Sequence, residues 1–300
     1  MYSMDQAEDL RNIIKKKNYN IVRNSRIIAV TSGKGGVGKS CTSVNIALQF
    51  KKLGEKVIIL DTDFGMANVE VMFGVIPKFT LGDLLFSDKS IRDIISEGPD
   101  GVGFISGGSG IVKMGELDKL QIKRLVNKMS ELEEMADIII IDTGAGMASS
   151  VMEFLLASPE IILVTTPEPA SITDSYALLK ALNVSEDFDK NRCSVKLLAN
   201  KVNNEKEGNS LYEKLDSVVK KFLDIDLGYI GAVPNDKNVG KAIMKQTPVS
   251  LMYPQSDAAL AYKKAVGLLC INKNDDNNNV QHRGIKEYFK TIFTKKRKME

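Results

Sequence analysis

The stretch Gly33-Lys34-Gly35-Gly36-Val37-Gly38-Lys39-Ser40 decides the fold of this chain. Residues 26–31 before it form an apolar run that predicts a buried strand, and residues 42–48 after it predict a helix. A strand, a glycine-rich loop ending in Gly-Lys-Ser and a helix are together typical of a phosphate-binding P-loop. The glycines let backbone N–H groups point into one concavity, where a helix N-terminus adds partial positive charge. The alternative, a plain glycine turn, is disfavoured by the flanking strand and helix.

Three residues of this loop carry side chains suited to phosphate chemistry. Lys39 is expected to reach the β- and γ-phosphates of a nucleotide, and the Ser40 hydroxyl is expected to hold Mg²⁺. Lys34 is an extra lysine that a P-loop does not require. It is either a solvated surface lysine or a group that reaches the nucleotide of a second subunit.

Composition limits the classes of protein to consider. The chain has 300 residues, 43% of them hydrophobic, and a net charge of +3, so the molecule as a whole is not a polyanion binder. Its apolar runs are shorter than the roughly 18 residues of a membrane span, and the N-terminus lacks a hydrophobic signal core. The three cysteines are scattered, which disfavours disulfides and zinc and fits the cytosol. The single histidine, His282, has no second candidate ligand nearby.

Two acidic residues follow the second predicted strand, residues 56–61. Asp61 and Asp63 would lie at the carboxyl end of that strand, where parallel α/β sheets bind ligands. Carboxylates beside a phosphate loop are tolerable when Mg²⁺ or water lies between. We therefore interpret Asp61 as a magnesium-supporting group and Asp63 as the residue that orients the attacking water. The alternative for Asp61 is a cap of the following helix.

A run of four isoleucines ending in Asp142 predicts another buried strand, residues 137–142. It is typical of a Walker B strand, in which Asp142 would support Mg²⁺ through water. Gly146, four residues later, is placed to set its N–H on a γ-phosphate and to move when that phosphate leaves. A simple strand-to-helix turn is the alternative, and the P-loop favours the switch interpretation.

Two further features lie beyond the next predicted strands. Ser171 is the predicted N-cap of a helix running to residue 182. Asn200 directly follows the strand predicted over residues 195–199, and its amide, with both a donor and an acceptor, suits adenine.

The pattern as a whole predicts an α/β domain over residues 21–271. Six or seven short apolar strands alternate with helices, and every chemically suggestive residue falls just after a strand. We expect a doubly wound, mostly parallel sheet covered by helices on both faces.

The two ends of the chain have a different composition. Residues 1–20 predict a short polar helical arm, and residues 272–283 are a polar linker of low complexity. Residues 284–300 predict an amphipathic helix with a basic border, which favours lying on an anionic membrane surface over docking on its own domain. Its apolar stripe includes Ile285, Tyr288, Phe289, Ile292 and Phe293.

Several motifs together resemble one family. Residues 34–40 look like the deviant Walker A motif of the MinD/ParA/nitrogenase iron protein group of P-loop ATPases. Residues 61–68 and 142–146 resemble the two switches of MinD-like members. Residues 167–176, and Asp5-Gln6-Ala7-Glu8-Asp9-Leu10-Arg11 in the arm, are similar to one branch, the flagellar-number regulator FlhG, also called FleN or YlxH.

The resemblance implies an ATPase that uses ATP and Mg²⁺ and forms a homodimer when ATP is bound. Lys34, Lys39 and Asp63 would be catalytic, with Lys34 crossing to the nucleotide of the second subunit. Ser40, Asp61 and Asp142 would support the metal. The implied nucleotide-binding residues are Gly33, Lys34, Gly35, Gly36, Val37, Gly38, Lys39, Ser40, Cys41, Gly146, Asn200, Pro234, Asn235 and Asp236.

The resemblance also implies partners and a location. Gln6 in the arm would stimulate FlhF, a GTPase of the signal-recognition-particle type, and flagellar switch components are a further implied class of partner. The protein would be cytoplasmic and peripherally associated with the inner face of the cell membrane through its C-terminal helix. No specific DNA binding is expected, because the basic clusters lie at the termini.

Two alternatives remain within this group. The first alternative to the flagellar role is a MinD-like or ParA-like positioning or partitioning ATPase for another cargo. An iron-cluster carrier ranks lower, since Cys41, Cys193 and Cys270 lack the required pairing. Where MinD has an arginine before the switch asparagine, this chain has Ala67, which disfavours a MinC-like partner.

Overall fold

A computed structural model describes residues 25–63, 68–87, 89–108 and 131–271. The predicted N-terminal arm, linker and C-terminal helix lie outside the described residues, and so do Gln6 and the apolar stripe of the tail. The strands are β1 (Arg26–Thr31), β2 (Val57–Asp61), β3 (Ser96–Glu97), β4 (Gly103–Ile105), β5 (Ile138–Asp142), β6 (Glu160–Thr165), β7 (Ser194–Val202) and β8 (Leu227–Pro234).

Eleven α-helices are present in the described parts of the chain, with a 3₁₀ turn at Pro99–Gly101. They are α1 (Lys39–Lys52), α2 (Asn68–Phe73), α3 (Leu81–Phe86), α4 (Ile91–Ile94), α5 (Leu132–Met135), α6 (Ser149–Ala157), α7 (Pro169–Val184), α8 (Glu205–Leu223), α9 (Lys237–Met244), α10 (Val249–Met252) and α11 (Asp257–Ile271).

The strands form one sheet in the order β3-β4-β2-β5-β1-β6-β7-β8. All neighbouring strands are parallel except β3 and β4, which pair antiparallel. The central strands are buried along their whole length, as their continuous apolar sequences require in a sheet that is covered on both faces. This is the mostly parallel α/β architecture that the sequence predicts.

Two hydrophobic layers cover the sheet. Because successive side chains of a strand point to opposite faces, Ile27 and Ala29 of β1 pack into one layer while Ile28 and Val30 pack into the other. The first layer includes buried residues of α6, α7 and α8, and the second includes those of α1, α2 and α11. Helices therefore lie on both faces, which makes the sheet doubly wound.

The structure corrects some details of the sequence prediction. Helix α7 begins at Pro169 with Glu168 at its N-cap, so the prediction of Ser171 as the cap is wrong. Ser171 instead accepts a hydrogen bond from the Thr166 backbone N–H at 3.0 Å, inside the first turn. The two-residue edge strand β3 is an eighth strand that the pattern did not indicate. Within the described segments, no helix has the length and apolar character needed to cross a membrane.

Candidate nucleotide-binding site

The glycine-rich loop connects β1 to α1 at the carboxyl edge of the sheet. Gly38 has φ of 101° and ψ of 28°, a left-handed conformation that favours glycine, and α1 begins at the next residue, Lys39. Lys39 and Ser40 are buried in the first turn of this helix. The N-terminus of α1 thus meets the loop directly, in the arrangement that binds phosphate groups in proteins.

Side chains from outside the loop bind its carbonyl oxygens. Asn200 Nδ2 donates to the Val37 carbonyl at 2.7 Å, and Lys201 Nζ donates to the Gly36 carbonyl at 2.8 Å. Ser32 Oγ donates to the Lys34 carbonyl at 2.7 Å. Because these carbonyls are engaged, the loop can turn N–H groups toward the opposite, concave side, as an anion-binding nest requires.

Two glycines of the loop are required by close packing. A Cβ on Gly33 would lie 2.2 Å from the backbone carbonyl of Asp174 in α7. A Cβ on Gly38 would lie 2.4 Å from Asn200 Nδ2. The loop is therefore fitted against α7 on one side and the end of β7 on the other.

Two buried carboxylates lie side by side beneath the loop. Asp61 ends β2 and Asp142 ends β5, and the register of these parallel strands pairs the two residues directly. Ser43 Oγ, from α1, donates to Asp142 Oδ1 at 2.8 Å. Asp142 Oδ2 is buried and has no hydrogen-bond partner among the described residues. An unpaired buried oxygen on a carboxylate that also contacts the first helix fits a role in supporting a water-coordinated Mg²⁺.

The environment of this pair raises the pKa of both carboxyl groups. Burial is the largest cause for each, and the charge of Asp142 raises the pKa of Asp61 further. The hydroxyls of Ser40 and Ser43 and the ammonium of Lys39 oppose the rise in the pKa of Asp142. When both carboxyl groups are ionised, their two negative charges exceed the single positive charge of Lys39 in this part of the crevice.

Asp61 also makes the contacts of a helix cap. Its Oδ1 accepts from the Asp63 backbone N–H at 3.0 Å, and its Oδ2 accepts from the Val69 N–H at 3.2 Å, in the first turn of α2. The capping interpretation of Asp61 therefore matches its contacts. A role in supporting Mg²⁺ stays a prediction.

Lys39 and Asp63 lie in the same crevice. Burial lowers the pKa of Lys39, and the charges of Asp142 and Asp63 partly oppose this. A Cβ on Gly144, in the turn after β5, would lie 3.9 Å from Asp63 Oδ1. The predicted phosphate-binding lysine, the predicted water-orienting aspartate and the turn after Asp142 are thus neighbours.

The turn after β5 packs against the phosphate loop. The Gly146 N–H donates to the Ser32 carbonyl at 3.0 Å, and Gly146 has φ of 81°. A Cβ on Gly35 would lie 4.0 Å from the Ala145 Cβ. In this conformation the Gly146 N–H is engaged by the protein, so binding a γ-phosphate would require it to exchange partners.

Lys34 is held within its own chain. Its Nζ donates to Glu168 Oε2 at 2.7 Å, and both side chains are partly exposed. The hydrogen bond and charge of Glu168 raise the pKa of Lys34, and Lys34 lowers the pKa of Glu168 in return. Exposed ion pairs of this kind contribute little to stability, so this contact is easily exchanged.

The residues predicted to bind adenine lie at the ends of β7 and β8. The Asn235 N–H donates to the Val202 carbonyl at 2.8 Å, and Pro234 is the register partner of Val202. Both carboxylate oxygens of Asp236 accept backbone N–H groups, from Asn238 at 2.8 Å and from Ala258 at 3.3 Å. The loop at residues 234–236 is thus fixed next to Asn200, which itself contacts the phosphate loop.

Sequence reasoning missed three residues of this site. Glu168 pairs with Lys34, Lys201 binds the loop carbonyl of Gly36, and Ser43 binds Asp142. Glu168 and Lys201 both follow or end a strand, which is the signal that identified the other residues. Lys201 also has φ of 57°, an uncommon left-handed conformation for a lysine that sequence does not indicate.

Comparisons with known proteins agree with this geometry. The ParA family model, described as NUBPL iron-transfer P-loop NTPase, matches residues 23–269. Antiactivator FleN of Pseudomonas aeruginosa is 42% identical over 238 residues, covering 79% of this chain and 84% of FleN. Flagellum site-determining protein YlxH of Helicobacter pylori is 32% identical over 295 residues, covering 96% and 98%.

Solved structures share the fold. The septum site-determining protein MinD complexed with Mg-ADP, from Pyrococcus horikoshii, aligns with a TM-score of 0.65 at 24% identity, over 82% of this chain and 96% of that one. The described residues hold no group of three His, Cys, Asp or Glu side chains that would suggest a metal-binding cluster. The phosphate loop, the strand order and these similarities lead to one conclusion: the chain belongs to the ParA family of P-loop NTPases and has a MinD-like fold.

Proposed function

We propose that this protein is an Mg²⁺-dependent ATPase that dimerises with ATP bound, associates with the membrane and regulates the number or placement of flagella. The observation that carries the ATPase is the loop at residues 33–40, whose carbonyls are bound from outside at Lys34, Gly36 and Val37. The flagellar part is supported by the similarity to FleN and YlxH.

The residues beneath the loop have complementary roles in this proposal. Mg²⁺ would neutralise phosphate charge, held by the Ser40 hydroxyl and supported by Asp142, whose Oδ2 is buried and unpaired in the described structure. Lys39 would bind the β- and γ-phosphates, and Asp63 would orient the attacking water. Asn200 and the loop of Pro234, Asn235 and Asp236 would hold adenine.

Two contacts of this structure would change when ATP binds. The Gly146 N–H, which here donates to the Ser32 carbonyl, would turn to the γ-phosphate. Lys34 would leave Glu168 and reach the nucleotide of the second subunit. Each exchange replaces one hydrogen bond by another, so the change requires little energy and can reverse after hydrolysis.

The two ends of the chain complete the proposal. Residues 284–300, with Ile285, Tyr288, Phe289, Ile292 and Phe293, would bind an anionic membrane, and two copies on a dimer would bind more tightly than one. The arm at residues 1–20 would stimulate an FlhF-type GTPase through Gln6. Flagellar switch components are a further partner class.

Lys34→Ala tests the central step. This variant should bind Mg·ATP as the wild type does, because Lys39 remains, but it should neither dimerise with ATP nor hydrolyse it. Light scattering with ATP and a phosphate-release assay measure the two effects. Glu168→Gln is the matched control: it removes the ion pair within one subunit but keeps Lys34, so dimerisation should persist. If Lys34→Ala still dimerised with ATP, the proposed role of Lys34 would be wrong.

A further inference from the structure

Helix α1 presents a polar stripe away from the phosphate site. Asn45, Gln49 and Lys52 follow one another at helical spacing, and Asn45 and Gln49 are buried. All three contact a single buried residue, Ser250, in the first turn of α10. A buried polar side chain costs free energy unless it is hydrogen-bonded. The contacts with Ser250 therefore offset the cost of burying Asn45 and Gln49.

The three side chains bind three different atoms of Ser250. Asn45 Oδ1 accepts from the Ser250 backbone N–H at 2.9 Å. Gln49 Nε2 donates to Ser250 Oγ at 3.1 Å, and Lys52 Nζ donates to the Ser250 carbonyl at 3.0 Å. Helix α1 therefore binds the backbone N–H, the hydroxyl and the backbone carbonyl of Ser250.

Asn45 is the central member of this set. The N–H groups of a first helical turn lack partners within the helix, and the side-chain amide oxygen of Asn45, in a different helix, accepts one of them from α10. The Asn45 Nδ2 donates to the Cys41 carbonyl at 2.7 Å, one turn closer to the phosphate loop. Its amide thus joins the first turn of α1 to the first turn of α10.

The segment fixed in this way continues the loop predicted to hold adenine. Asp236 ends that loop and accepts from the N–H of Asn238 in α9 and from the N–H of Ala258 in α11. Helix α9 then leads directly to the corner at residues 245–248, and α10 follows it. Helix α10 packs against both α9 and α11, the two helices whose N–H groups Asp236 binds, so the contact between Asn45 and Ser250 is connected to the adenine loop through them.

We propose that Asn45 is a positioning residue for nucleotide binding, which holds the adenine loop at a fixed distance from the phosphate loop through Ser250. The inference rests on the proposed function, in which ATP spans these two loops. It predicts that Asn45 matters to ligands that reach both loops and not to ligands that occupy the phosphate loop alone.

The test compares ATP with inorganic tripolyphosphate, both with Mg²⁺, by calorimetric titration of the full chain. Asn45→Ala should weaken ATP binding about tenfold, since it leaves a buried N–H without a partner. Binding of tripolyphosphate should stay within about twofold of wild type. Ser217→Ala, a serine exposed on α8, is the matched control and should change neither value.

Gln49→Ala and Ser250→Ala provide a milder second test, should Asn45→Ala not fold. They remove opposite ends of one hydrogen bond, so each should weaken ATP binding by the same small factor, and the double variant should weaken it no further. An equal loss of ATP and tripolyphosphate binding in folded Asn45→Ala would overturn the inference, as would no loss of either. A wild-type chain that binds neither ligand would instead refute the proposed function.

Discussion

At the scale of single residues, the most consequential pair is Asp61 and Asp142. They are direct neighbours across β2 and β5, both are buried, and burial raises the pKa of each. Without a cation, the two charges repel each other where water cannot screen them. Either a proton on one carboxyl group or a bound cation would relieve this repulsion.

This pair predicts an unusual pH dependence for the metal-free protein. A carboxyl group with a raised pKa in the folded state stabilises the fold at low pH, and this contribution is lost as the pH rises through the folded pKa. In EDTA, we expect the melting temperature to fall as the pH rises from about 5, just above the ordinary carboxyl pKa, to about 8, the raised pKa of Asp61. Asp61→Asn should flatten the dependence, and Mg·ATP should reduce it. Identical profiles for wild type and variant would contradict the expectation.

Single residues of the site differ in how well the sequence alone predicts them. Asp61, Asp142 and Lys39 were identifiable because each follows a strand or completes a motif whose chemistry is local. The pairing of Lys34 with Glu168 joins residues 134 positions apart, and no local pattern encodes it. For Asp61, sequence left a magnesium-supporting role and a helix cap as alternatives, and its two backbone contacts match the cap.

At the scale of elements, the contact between α8 and β8 depends on a missing side chain. A Cβ on Gly208 would lie 2.6 Å from the Ala232 Cβ and 2.9 Å from the Tyr229 hydroxyl, so α8 must move if a methyl group is added. A Cβ on Gly267 in α11 would have no atom from another part of the described chain within 4 Å. The packing around Gly208 therefore leaves no room for a side chain, whereas the surroundings of Gly267 do.

Replacing each glycine by alanine should therefore have opposite effects. Gly208→Ala should lower the free energy of unfolding by about 1–3 kcal/mol through overpacking. Gly267→Ala should raise it by up to about 1 kcal/mol, because alanine is the better helix former. Urea unfolding monitored by circular dichroism measures both. A higher free energy of unfolding for Gly208→Ala would contradict this prediction, because it would mean that α8 can move to accommodate the methyl group at no cost in stability.

Elements were predicted from sequence with uneven success, for physical reasons. The continuous apolar runs of β1, β2, β5 and β6 mark buried strands clearly. The N-cap of α7 was misassigned because Ser171 has the right chemistry, but Pro169 already starts the helix and Ser171 binds Thr166 instead. Strand β3 has only two residues, too few for a recognisable pattern of alternating hydrophobicity. It is defined by its antiparallel pairing with β4, which the sequence of β3 alone does not indicate.

At the scale of the whole molecule, one buried ionic group joins distant parts of the chain. Arg26 Nε and Nη2 donate to the two Glu160 oxygens at 2.6 and 2.7 Å, and Lys196 Nζ donates to Glu160 Oε2 at 3.3 Å. Arg26 Nη2 also donates to the Leu269 carbonyl at 3.0 Å. The group links β1, β6 and β7 to the last turn of α11.

Glu160→Gln should reveal the strength of this link. Burial opposes ionisation of Glu160, but Arg26 and Lys196 lower its pKa overall, so its contribution is present at neutral pH and lost in acid. At pH 7 the variant should lose about 3–5 kcal/mol of unfolding free energy, since buried cations lose their partner. The difference from wild type should shrink as the pH falls below about 4.5. A constant difference across this range would refute the assignment.

Removal of residues 272–300 tests the proposed membrane contact on the whole molecule. The shortened chain keeps all of residues 23–269, which match the ParA family model, so we expect it to keep its melting temperature and its ATP binding. It should no longer sediment with vesicles that contain anionic lipid. Vesicles of neutral lipid provide the control for lipid charge. If the truncated chain sedimented with anionic vesicles as the full chain does, the proposed membrane binding by residues 284–300 would be wrong.

The hydrogen bond between Arg26 and the Leu269 carbonyl has a mechanical consequence. It joins residue 26 in the first described strand to residue 269 in the last described helix, so β1 and α11 meet at one corner of the sheet. That corner lies at the amino end of β1, whereas the phosphate loop follows its carboxyl end. A force applied at residue 26 or at residue 269 therefore acts on the same corner, at the opposite end of β1 from the nucleotide crevice.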